Sequence, residues 1–165
     1  MAIKSRVLHL EHPESAIREA WRVLKEGGRY SYATWCGPDQ GGEYFGLLMG
    51  AIRKHGTLNV PLPPVPPAFK YADENEAHTA LTNAGFRTLR TKKILLTWHP
   101  SGPEEIFELL YKSIVRLTLV LETQTEEARA RIHEEVLDRA GKYRVNDRLN
   151  FTFPVVLATA EKRNP

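Results

Sequence analysis

Apolar residues change their spacing along this chain, and the changes predict a series of alternating elements. Val7, Leu8 and Leu10 fall in a run without a helix cap before it, so residues 3–10 are expected to form a short strand. His12-Pro13-Glu14-Ser15 opens a helix, because proline suits the first helical turn and an acid there meets the positive helix end. Ala16, Ile17, Ala20, Trp21, Val23 and Leu24 follow at helical spacing, and Gly27-Gly28 ends the helix. Residues 29–35 are rich in aromatic and hydroxyl side chains and read as a strand. A loop with Gly37, Pro38, Gly41 and Gly42 comes next. Residues 44–55 then read as a helix with Phe45, Leu48, Met49 and Ile52 on one face.

Pro61, Pro63, Pro64, Pro66 and Pro67 hold the following stretch extended. Asp73, with Glu76 three residues on, has the spacing of a capping box, and that helix runs to about Asn83 before Gly85. Residues 86–97 are expected to be one long strand. Ser101 caps a helix with Pro103, Glu104 and Glu105 in its first turn, and Ile106, Leu109, Leu110, Ile114, Leu117 and Leu121 form one stripe. Thr125 caps another helix, whose face holds Ala128, Ile132, Val136 and Leu137. Residues 149–160 form a last strand, interrupted at Pro154. The early alternation implies a parallel β-α-β unit, and the late strands imply a mixed sheet. The expectation is one domain over residues 1–165, with a helical insert at about 101–140.

Composition narrows the function classes. Hydrophobic residues make up 42% and charged residues 26%, which argues for a packed core. A net charge of +3 without a concentrated basic face argues against nucleic acid as a partner. No apolar stretch approaches the ~20 residues that span a bilayer, which argues against a membrane. Cys36 is the one cysteine, so no internal disulfide forms, and a reducing, cytoplasmic location fits.

Candidate chemistry gathers where strands end, since ligands of open α/β sheets bind beyond the carboxyl ends of the strands. His9 and His12 flank Leu10 and Glu11 at the C-terminal end of the first strand. Each reads either as a loop histidine without a task, the favoured reading, or as a general base. Trp35, Cys36, Tyr44 and Phe45 follow the second strand, and either line an apolar acceptor pocket or pack a core. Nothing near Cys36 marks it as a nucleophile, so it reads as inert. His55, His78, His99 and His133 lack the H-E-x-x-H spacing, and no metal site is expected.

Residues 8–29 resemble a block of class I S-adenosylmethionine-dependent methyltransferases of the ubiquinone/menaquinone-biosynthesis type. Glu19, Arg22, Val23, Leu24, Lys25, Gly27, Gly28 and Arg29 match that block, while Glu26 stands where the family has proline. Ala84-Gly85-Phe86 resembles the family's turn into its penultimate strand, and Val155 to Lys162 resembles its final strand. The resemblance implies the C-terminal part of an α/β, three-layer, truncated Rossmann-like methyltransferase fold, with a reduced mixed sheet of about four strands. The first strand is expected at an edge beside the second. The last is expected antiparallel, between the second and residues 86–97. No glycine pair here has the G-x-G-x-x-G spacing of a cofactor loop, so no cofactor-binding residue carries over.

The implied cofactor is S-adenosylmethionine, bound only if a missing N-terminal half completes the chain. The implied activity, under the same condition, is methyl transfer to a small molecule. The alternative is a non-catalytic small-molecule binding or assembly module. The implied partners are a small-molecule ligand and either a second copy, forming a homodimer at the open edge of residues 3–10, or the complementing half.

Overall fold

Arg29–Trp35, the stretch rich in aromatic and hydroxyl residues, forms one of the two inner strands of a four-stranded sheet in the computed structural model, which describes residues 2–3, 10–63 and 66–163. The chain divides into two compact units. One comprises Met1–Gly41, Pro64–Leu96 and Pro154–Pro165, and the other Gly42–Pro63 and Thr97–Phe153.

The first unit holds β1 (Ala2–Ile3), α1 (Pro13–Val23), β2 (Arg29–Trp35), α3 (Glu74–Asn83), β3 (Arg87–Ile94) and β8 (Val155–Glu161). Its sheet order is β1-β2-β8-β3. β1 pairs parallel with β2, Ala2 facing Ser31, whereas β8 runs antiparallel to both β2 and β3. The edge position of the first strand and the antiparallel insertion of the last follow the expected topology.

Side-chain alternation decides which sheet face is covered. Tyr30 and Tyr32 on β2, and their cross-strand neighbours Ala160 and Ala158, pack with Ile17 of α1, Ala77 and Leu81 of α3, and Phe86. Tyr30 stacks on Phe86 with ring centroids 5.4 Å apart. Both helices therefore lie on one face, and within this unit they make a single helical layer. Ser31, Ala33, Leu157 and Thr159 alternate onto the other face and are half-buried.

The second unit holds α2 (Glu43–His55), β4 (Thr97–Trp98), α4 (Pro103–Ser113), α5 (Val115–Glu122), α6 (Glu126–Ala140), the hairpin β5 (Arg144–Val145) and β6 (Arg148–Leu149), and β7 (Phe151–Thr152). Its buried residues include Tyr44, Leu48 and Ile52 of α2, Ile106 and Leu110 of α4, and Ile132 and Val136 of α6. Gln124, nearly buried, ties the chain after α2 to α5: its Nε2 donates to the Thr57 and Val120 carbonyls, and its Oε1 accepts from the Thr57 N–H.

Several boundaries differ from the sequence expectation. The stripe over 106–121 is two helices, broken at Ile114 (φ −114°, ψ 69°). The Thr118 hydroxyl donates to the Leu110 carbonyl at 3.0 Å, so a side chain meets a polar need at the break. The helix expected to start at Ser101 has Gly102 as its N-cap instead, and the Ser101 N–H donates to Glu105. Residues 86–97 are not one strand: β3 ends at Ile94, Leu95 and Leu96 are exposed, and Thr97–Trp98 pairs with β7 in the second unit. Pro154 divides the last stretch in the same way, β7 belonging to the second unit and β8 to the first. Of the first expected strand, residues 4–9 lie outside the described residues, and Leu10 is an exposed bend. No described helix is long and apolar enough to cross a membrane.

Candidate functional site

β1, β2 and β3 share one direction, since β8 opposes both β2 and β3, so their carboxyl ends meet at one edge of the sheet. A cleft of about 390 Å³ opens there, lined by Cys36, Gln40, Ala72, Asp73, Glu74, Thr91, Lys93 and Val156. Its floor is apolar: Cys36, Ala72 and Val156 form a buried cluster. Cys36 sits just past β2, where its N–H continues the ladder to the Pro154 carbonyl at 2.9 Å.

The walls are polar. Pro38–Gln40 form a single 3-10 turn beyond β2. The Gln40 carbonyl accepts from Lys93 Nζ at 2.6 Å, and the Gln40 side-chain amide donates to the Ala72 carbonyl at 3.4 Å. Asp73 caps α3 by accepting from the N–H groups of Asn75 and Glu76 at 2.9 and 3.0 Å. Glu74 accepts the Thr91 hydroxyl at 2.7 Å.

Residues 70–72, which lead into that wall, are held from α1. Tyr71 donates its hydroxyl to Glu14 Oε1 at 2.5 Å, and Lys70 Nζ lies 3.1 Å from the same oxygen. The Tyr71 bond, joined by Lys70, lowers the Glu14 carboxyl to about 2. Burial, with the Glu14 carboxylate adding to it, pushes the Tyr71 phenol up. Burial likewise pushes the Cys36 thiol up against the pull of Lys93, the reverse of what a nucleophile needs.

The residues singled out from sequence fall in different places. His9 lies outside the described residues. His12 is exposed as the N-cap of α1 and makes no side-chain capping bond. Trp35 ends β2 and is 38% exposed. Tyr44 and Phe45 are core residues of the second unit: Tyr44 donates to the Ile106 carbonyl at 2.6 Å and stacks on Phe153 with centroids 5.1 Å apart. The structure thus brings Tyr44 and Phe45 together in one aromatic cluster. Gln40, Thr91 and Lys93 were not singled out. A loop amide after a strand was the available signal for Gln40, while Thr91 and Lys93 read only as strand.

The described residues do not fit S-adenosylmethionine. The glycine-bearing turn after β2 offers it no room, since a Cβ on Gly37 would lie 2.8 Å from the Phe69 ring. That glycine makes room for a side chain of the protein, not for a cofactor. Cys36, Gly37 and Pro38 follow β2 directly, and none of them is an acid that could hold a ribose. Among the described residues, no three His, Cys, Asp or Glu side chains gather to hold a metal.

No family model matches the sequence. No curated protein matches it either. Solved structures do. A putative methyltransferase of Bacillus halodurans superposes with a TM-score of 0.51 at 17% identity, over 99% of this chain and 68% of its own. The YcgJ protein of Bacillus subtilis gives 0.51 at 16% identity, over 99% of this chain and 63% of its own. The chain therefore spans about two-thirds of their length. The likeness establishes the fold: α/β, Rossmann-like, of the methyltransferase type.

Proposed function

We propose that this protein carries the acceptor side of a methyltransferase-like fold. In this reading, S-adenosylmethionine-dependent methyl transfer to a small molecule needs further polypeptide, of the same chain or another, to supply the cofactor cradle. The supporting observation is the pairing of a ligand-sized cleft at the carboxyl edge with a glycine turn already filled by Phe69. A complementing half or a second copy would cover the outer edge of β1, whose described residues pair only with β2.

The second reading, a non-catalytic small-molecule binding or assembly module, draws on the raised Cys36 thiol and on a cleft lining that, among the described residues, holds no histidine. A methyl-transfer assay with radiolabelled S-adenosylmethionine and a panel of small acceptors separates the two. It would be run on the chain alone and with the product of an adjacent reading frame that carries a G-x-G-x-G loop. Turnover only in the mixture is expected. Turnover by the chain alone contradicts the proposal, and none in either case selects the non-catalytic reading.

A further inference from the structure

The cleft has more acceptors than donors. Among the described lining residues, Asp73 and Glu74 are acidic and Lys93 is basic, an excess of one negative charge. Lys93 is already committed to the Gln40 carbonyl at 2.6 Å. Gln40 Oε1 is buried and accepts no hydrogen bond. Thr34 is 2% exposed, and its Oγ1 is also without a partner. It projects from the same face of β2 as Cys36 and lies directly across from Val156, both of which line the cleft.

Buried polar groups left unpaired cost free energy, and such orphans mark places where a partner is due. An ammonium group brings three donors and no acceptor, which matches this deficit, whereas a carboxylate or phosphate brings the wrong complement. The floor of Cys36, Ala72 and Val156 suits a short aliphatic chain.

We propose that this cleft binds a small primary amine in its protonated form, with the ammonium directed to Gln40 Oε1 and the Glu74 carboxylate and the carbon chain on the Cys36–Ala72–Val156 floor. The inference rests on the reading that the cleft is the ligand site, but it needs no cofactor, so it can fail or hold independently of methyl transfer.

The test is amide-detected NMR on the full chain, titrated with ethylammonium chloride, with sodium acetate and sodium chloride at equal ionic strength as comparisons. Saturable shifts at Cys36, Gln40, Asp73 and Thr91 with ethylammonium alone are expected. Glu74→Gln, which keeps an oxygen for Thr91, is expected to weaken binding about tenfold by removing a charge-assisted hydrogen bond. Gln40→Glu is expected to tighten it. Saturable shifts with acetate, no saturable shifts at all, or an affinity unchanged in both variants would overturn the proposal.

Discussion

Lys162 Nζ lies 4.1 Å from the centroid of the Trp21 ring and 2.9 Å from the Leu24 carbonyl oxygen. One ammonium from the end of β8 thus caps the C-terminus of α1 and stacks on its largest side chain. Arg22, the basic residue in the last turn, forms an exposed ion pair with Glu19 at 2.6 Å and leaves the cap to Lys162. The Lys162 backbone completes the join: the Gly27 N–H donates to its carbonyl at 2.9 Å, and its own N–H donates to the Gly28 carbonyl at 2.8 Å. Replacing Lys162 with Met removes both roles of the ammonium. A loss of about 1–2 kcal/mol in urea unfolding is expected, against no measurable change for Arg22→Met.

Gly85 packs close against the same tryptophan. Its φ is +99°, and a Cβ there would lie 3.0 Å from the Trp21 ring. Gly85→Ala is expected to cost about 1–3 kcal/mol, through backbone strain and the collision together. The same denaturation experiment measures it, and a neutral substitution would refute the packing.

The Glu14 carboxyl predicts an acid-side dependence. Its pKa falls from 4.5 to about 2 on folding, so the unfolded chain binds more protons between those values. The carboxylate's stabilisation is full above pH 4.5 and is lost as pH falls through about 2. The stability difference between wild type and Glu14→Gln should therefore shrink on acidification across that window. A difference that stays constant across it would refute the Tyr71 bond as its source.

Gln124 predicts a larger effect in the second unit. Gln124→Leu leaves the Thr57 N–H and the Thr57 and Val120 carbonyls without that partner. A loss of about 2–4 kcal/mol is expected, measured by thermal unfolding. A change under 0.5 kcal/mol would show that water replaces the amide at little cost.

Much of the first unit was legible because local signals and the sheet agree. Residues 29–35 form β2 as expected, Pro13 opens α1, and Asp73 caps α3. The split at Ile114 was not legible, because an uninterrupted stripe reads as one helix and the Thr118-to-Leu110 bond leaves no periodic trace. Nor was the division near Leu95, where apolar residues continue the strand pattern although Leu95 is 67% exposed. The cleft was least legible. Gln40, Thr91 and Val156 come from three distant segments, and only the β2-β8-β3 pairing brings them together.

The fold is of the methyltransferase type, and among the described residues no glycine-rich turn is open to a cofactor. Titration calorimetry of the chain alone with S-adenosylmethionine and S-adenosylhomocysteine tests it most directly. No saturable heat is expected at micromolar ligand, because Phe69 fills the space at Gly37 and the sequence holds no G-x-G-x-x-G loop. Saturable binding of either ligand at micromolar affinity would contradict it.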